Sequence, residues 1–286
     1  MNRTKNALHA LAVILAAGPL GAGCASSNDD IVSPPEQWAL TMADEFDSGT
    51  SPSAELWTIE TGYGPNDDGW GNDEWQLYTD SPDNVRVEGG NLVISAQCPN
   101  PPCGKRDGSI TSARLKTQDL FEQEYGRFEA RIKLPEGRGL WSAFWMLGAN
   151  IDEVPWPGCG EIDVMEDFGR EPGVVSGALH GPGYSGAEAI SSEFSLPDGE
   201  IFANDFHVFA VEWDPGRITF SVDSQVYRIV NSFEVSARGD WVFDHEFFML
   251  LNLAVGGNPV SSPDPSGTIF PAEMLVDYMR IFERAQ

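Results

Sequence analysis

Between Trp38 and Phe282 the chain consists of short runs in which apolar and polar residues alternate, interrupted about every ten positions by Gly, Pro, Asn or Asp. In 126–134, Phe128, Ala130, Ile132 and Leu134 share one parity, and Glu129, Arg131 and Lys133 share the other. Asn91–Ala96, 207–213, Arg217–Val222, 246–255 and 274–282 repeat the pattern. Extended backbone points successive side chains to opposite sides, so each run offers one face to a core and the other to solvent or a cleft. No stretch of helical period exceeds about two turns. The pattern therefore predicts an all-β antiparallel sandwich. Several of the nine Trp residues fall at outward positions, which adds the expectation of an aromatic-lined groove.

The first residues read differently. Arg3 and Lys5 precede an apolar run, 7–20, and the small residues Gly21-Ala22-Gly23 lead into Cys24. That is the layout of a cleavable signal peptide over 1–23, too short in its apolar part to span a bilayer comfortably. Cys24 resembles a lipoprotein processing site, although Gly21 stands where an aliphatic residue is usual; lipidation and ordinary secretion both stay open. Residues 24–36, polar and Pro-containing, form a flexible tether, and 37–286 form a single domain. The expected location is extracytoplasmic, secreted or lipid-anchored to the envelope. Membrane contact is expected only through Cys24.

Asp plus Glu number 44 against 17 Lys plus Arg, a formal net charge of −27. Such a surface repels nucleic acid and argues against a sulfated polysaccharide, while it is indifferent to an uncharged one. Cys98 and Cys103 flank a short Pro-rich loop that a disulfide would close in an oxidising compartment. Cys159 is left as a buried small residue, and no Cys or His spacing suggests zinc.

The segment Trp156-Pro-Gly-Cys-Gly-Glu161-Ile-Asp163-Val-Met-Glu166 places three acids in a strand-like run. Glu161 and Asp163 share a face, but Glu166 has the parity of the core, where an unpaired carboxylate is costly. One extra residue at Val164–Met165, a β-bulge, aims all three acids at one face. Two long Glu side chains leaning over a central Asp then suit a retaining glycosidase, which needs one ionised and one protonated carboxyl about 5–5.5 Å apart. An acidic outer strand face, or a calcium site built from the same oxygens, is the plainer alternative.

This segment, with Gly69-Trp-Gly-Asn72-Asp-Glu, Thr111-Ser-Ala-Arg114-Leu, Gly139-Leu-Trp141-Ser-Ala-Phe-Trp145-Met-Leu, Leu179-His180-Gly-Pro-Gly-Tyr184-Ser-Gly and Leu251-Asn-Leu-Ala-Val-Gly-Gly257-Asn, resembles glycoside hydrolase family 16 in its laminarinase-like branch. The resemblance extends over nearly the whole chain after the tether. It implies a curved β-jelly roll with a substrate groove on the concave sheet. It also implies Glu161 as nucleophile, Asp163 as its assistant and Glu166 as acid/base. No cofactor is expected for catalysis, the expected partner is a β-glucan polysaccharide, and a monomer is the expected state. Asn72, Arg114, Trp141, Trp145 and His180 would line the groove. For Trp145 core packing is the alternative, and for His180 a satisfied loop position. A structural calcium would be held by the backbone carbonyls of Glu45 and Gly90 and the carboxylate of Asp277, unless Asp277 pairs with a neighbouring Arg.

The sequence departs from the family where Pro259-Val-Ser follows Asn258 in place of the usual Trp-Pro-Gly, and Trp75 is a candidate substitute platform. The function expected is endo-hydrolysis of β-1,3-glucan with retention. Mixed-linkage glucan, agar or carrageenan hydrolysis is the alternative within enzymes, and a non-catalytic glucan-binding protein the alternative outside them. Both catalytic glutamates are present, which weighs against the last.

Overall fold

Alternation sets the layers. In the strand Gly126–Lys133, Phe128, Ala130 and Ile132 are fully buried while Arg127 and Arg131 reach outward. The same happens in Leu140–Gly148, where Phe144 and Met146 face the core and Trp141 and Trp145 face away. The computed structural model describes residues 37–260 and 268–285, all within one compact unit, 35–286. The expected signal peptide (1–23), Cys24 and the tether (24–36) lie outside the described residues.

Two antiparallel sheets stack on each other. The first runs in the order Gln225–Asn231, Arg217–Val222, His207–Asp214, Gly126–Lys133, Ala272–Arg284, Asn91–Ala96, Val85–Glu88, and Trp38–Asp44 also pairs with Ala272–Arg284. The second runs Ile190–Ser195, Val174–His180, Glu161–Asp167, Leu140–Gly148, Phe247–Val255, Arg114–Lys116, Thr58–Glu60. A parallel pair, Leu77–Tyr78 with Thr111–Ser112, stands apart from both sheets. Ser232–Val235 is the one α-helix among the described residues. The expected all-β sandwich is what forms.

The core between the sheets takes the inner parity of each, including Phe128, Phe144, Ile162, Met249, Leu251 and Trp213. Burying each such side chain contributes roughly 1.5–3 kcal/mol. A smaller cluster lies on the other side of the second sheet. Leu147, Cys159, Phe248 and Leu250 gather there, with Trp145 and Ile151 packed against them. It explains why Phe247–Val255 is buried along its whole length: one parity feeds each cluster. Cys159 is thus the buried small residue expected, and its thiol is pushed up to about 11 by burial. Cys98 and Cys103 are joined, with Cα atoms 6.1 Å apart. Just beyond that loop, Lys105 and Arg106 bridge to Asp73, tying it to the turn Gly69–Asp73.

Candidate active site

The bulge falls where parity required it. Asp163 pairs with Trp145 and Met165 with Phe144, so Val164 is the extra residue against Leu140–Gly148. Val164 and Met165 are both buried. On the other flank, Asp163 pairs with Ala178 and Glu166 with Ser176. Glu161, Asp163 and Glu166 therefore sit opposite Leu147, Trp145 and Ala143, residues of a single face. A regular strand would have sent Glu166 into the core.

Cross-strand register extends that face into a trench. One row crosses all seven strands through Glu60, Arg114, Asn252, Ala143, Glu166, Ser176 and Glu193. A second passes through Lys116, Leu250, Trp145, Asp163, Ala178 and Ser191. Seven strands span about 30 Å, room for several sugar rings.

Each glutamate has one oxygen held by an indole. Trp141 Nε1 donates to Glu166 Oε1 at 3.1 Å, and Trp156 Nε1 donates to Glu161 Oε2 at 2.7 Å. Asp163, 3% exposed, lies between them on the strand, and its charge is among the causes that raise Glu161. No well-aligned donor reaches Asp163 Oδ2; the nearest nitrogen is His180 Nε2, 3.0 Å away. The backbone N–H of Gly186 donates to His180 Nδ1 at 3.0 Å, so the ring hydrogen sits on Nε2, facing the acids. His180 Nε2 also lies 3.9 Å from Glu161 Oε1.

Burial pushes all three acids up. Glu161 rises to about 8, by desolvation first and by repulsion from Asp163 second. Asp163 rises to about 7 through desolvation, and Glu166 goes well above the usual glutamate range through desolvation and then Asp163. The shorter indole bond belongs to Glu161, which makes it the better place for negative charge. Glu166 has the longer one.

Glu161, Asp163 and His180 also offer ligand atoms within 4.8 Å of one another, a donor set that superficially suits a metal. The Gly186 amide argues otherwise. With Nδ1 accepting a hydrogen bond, Nε2 carries a hydrogen rather than a ligating lone pair.

At the other end of the trench the Arg114 guanidinium lies between two indoles, 4.5 Å from the Trp70 ring and 4.8 Å from the Trp145 ring. It is ion-paired through Nε to Glu60 Oε2 at 2.5 Å, and Lys116 reaches Glu60 Oε1 at 3.0 Å. Trp145 is turned outward, half-buried, with Nε1 donating to Asn252 Oδ1 at 2.7 Å. Asn72 lies in the turn Gly69–Asp73. Its Nδ2 points at Glu74 Oε1, 3.5 Å away, and its carbonyl accepts from Asn258 N. Trp75 packs on the core and covers Gly256. That glycine needs its φ of +69° and lacks room for a Cβ, which would lie 2.4 Å from Trp75 Cδ1.

Of the eight residues expected in catalysis and substrate binding, Glu161, Asp163, Glu166, Arg114, Trp141, Trp145 and His180 lie on strands of this one sheet, and Asn72 lies in the turn Gly69–Asp73. Trp156, Glu60, Trp70, Asn252 and Gly186 were not singled out from sequence. Glu60 and Asn252 owe their place to register with Arg114, a long-range pairing that no local pattern encodes.

The expected calcium residues lie elsewhere, along Ala272–Arg284. Asp44 pairs with Met279, and Leu92 with Val276. A register shift between Val276 and Tyr278 makes Asp277 an extra residue there. Glu45 and Gly90 therefore adjoin strand ends paired on either side of Asp277. Arg131 Nη1, however, donates to Asp277 Oδ2 at 2.7 Å, and the Glu45 side chain turns to Arg280. A calcium ion would have to share Asp277 with that guanidinium.

Two glutamates on one strand face, each bonded to an indole N–H, with an aspartate between them, define a glycoside hydrolase of the two-carboxylate kind. The profile of Glycosyl hydrolases family 16 matches residues 72–257, and the chain belongs to that family. It is 38% identical over 257 residues to a glucan endo-1,3-beta-glucosidase A1 of Niallia circulans, covering 85% of this chain but only 38% of that relative. It is 38% identical over 270 residues to a beta-glucanase of Rhodothermus marinus, covering 91% of this chain and 90% of the relative. The solved endo-beta-1,3-glucanase of Pyrococcus furiosus superposes with a TM-score of 0.80 at 46% identity, covering 87% of this chain and 95% of the other.

Proposed function

We propose that the chain cuts β-1,3-glucan of the laminarin type from within, with retention of configuration. The observation supporting the chemistry most directly is the bulge at Val164, which sets Glu166 on the face of Glu161 and Asp163. Relatives named as endo-1,3-glucosidases and the uncharged nature of the glucan support the substrate. In the first step Glu161 Oε1 attacks the anomeric carbon while Glu166 gives its proton to the departing glycosidic oxygen. A glycosyl ester on Glu161 results. Glu166, now a carboxylate, takes a proton from water as the water opens that ester, and Glu161 is released. Two inversions leave the product β. Glu161 acts as its carboxylate, with Trp156 Nε1 donating to Oε2 and Asp163 beside it. Trp145, Trp141 and Asn72 would meet sugar faces and hydroxyls along the trench.

Incubation with laminarin, lichenan and agarose tests the reading. The expected result is new reducing ends chiefly from laminarin, with the β anomer appearing first by proton NMR. Preference for agarose, or the α anomer first, contradicts it.

A calcium ion bound by the Glu45 and Gly90 carbonyls and Asp277 is proposed as structural only. It predicts a higher Tm in calcium than in EDTA with unchanged laminarin turnover; an identical Tm leaves Arg131 as the sole partner of Asp277. The proposed setting is extracytoplasmic, as a monomer with β-glucan as partner, and anchoring through lipid at Cys24 would appear as detergent-dependent release from membranes.

A further inference from the structure

Trp156 lies five residues before Glu161, outside the strand and in a loop with no alternating pattern. The residue is 45% exposed, an unusual state for so large an apolar group, yet its N–H makes one of the shortest side-chain bonds in the trench, to Glu161 Oε2 at 2.7 Å.

The loop is held from beneath. Ile151 and Cys159 pack into the outer cluster with Leu147, Phe248 and Leu250. His245 Nε2 lies 3.1 Å from the Cys159 carbonyl, and Gly148 N donates to Gly160 O. Gly148 permits that approach, since a Cβ there would lie 2.0 Å from Cys159 O. A loop anchored at both ends presents Trp156 in a fixed place, with its ring centroid 6.1 Å from that of His180.

We propose, resting on the reading of Glu161 as nucleophile, that Trp156 is a positioning residue with two separable tasks. Its N–H pins Glu161 Oε2, which leaves Oε1, on the His180 side, as the attacking atom and favours the ionised nucleophile. Its exposed ring is a wall of the trench that contacts the sugar beside the cleaved bond. The N–H task belongs to the transition state and the ring task to binding, so two substitutions divide them.

Trp156→Phe keeps an aromatic wall and removes the donor. Loss of one charge-assisted hydrogen bond should lower kcat by about tenfold to a hundredfold, leave KM nearly unchanged, and move the acidic limb of the kcat/KM profile to higher pH. Trp156→Leu removes both and should add a rise in KM. The readouts are laminarin kinetics across pH for both variants, with circular dichroism and Tm to confirm the fold and Glu161→Gln as control. If Trp156→Phe matches the parent in kcat and acidic limb while Glu161→Gln is inactive, the inference is overturned and the nucleophile stands. If Glu161→Gln stays active, the reading of the site itself falls.

Discussion

Glu161 and Glu166 are the same residue type on one strand, a few positions apart, and their surroundings differ. A 2.7 Å indole bond favours the anion on Glu161, whereas Glu166 has a 3.1 Å bond and lies well above the usual glutamate range. Tryptophan supplies N–H groups here as much as ring faces: Trp141 to Glu166, Trp156 to Glu161, Trp145 to Asn252. Holding Glu161 in a buried setting costs stability, and the sign is definite. Its folded-state pKa, about 8, exceeds the model-compound 4.5, so the unfolded chain ionises first as pH rises. The penalty begins above about 4.5 and is complete near 8. Glu161→Gln should therefore be inactive yet more stable, with an advantage that grows across that window to on the order of a few kcal/mol and vanishes at pH 4. Urea unfolding of both proteins at pH 4, 6 and 8 checks this; an advantage largest at pH 4 contradicts it.

Strands were legible where alternation was long. Asn91–Ala96 and Arg217–Val222 have the bounds that the pattern gave, and Ala272–Arg284 extends a few residues past 274–282 at each end. The bulge was legible too, because Glu166 had no acceptable destination in a regular strand. What the pattern could not show is which strands become neighbours. Glu60 stands beside Arg114 through a three-residue strand with little pattern of its own. Trp156 was hidden for another reason: its loop has no period, and its position depends on Ile151 and Cys159 finding a second hydrophobic cluster. The pairing of Asp277 with Arg131 was an open alternative in the sequence, and the side-chain geometry now gives it a distance, 2.7 Å.

Across the whole molecule, two sheets serve separate ends. The Gly126–Lys133 sheet supplies most of a conventional core, and the Glu161–Asp167 sheet divides its two faces between that core and a trench. The net charge of −27 repels polyanions and is indifferent to an uncharged polymer. Among the trench's positive groups, Arg114 and Lys116 are neutralised by Glu60. The account turns on Glu161 bonding covalently to sugar while Glu166 moves the proton. A 2-deoxy-2-fluoro β-laminaribiosyl fluoride should trap that ester, and peptide mapping by mass spectrometry locates it. The label is predicted on Glu161, in the peptide that spans Trp156 to Glu166; a label on Glu166, or turnover without any covalent species, would contradict it.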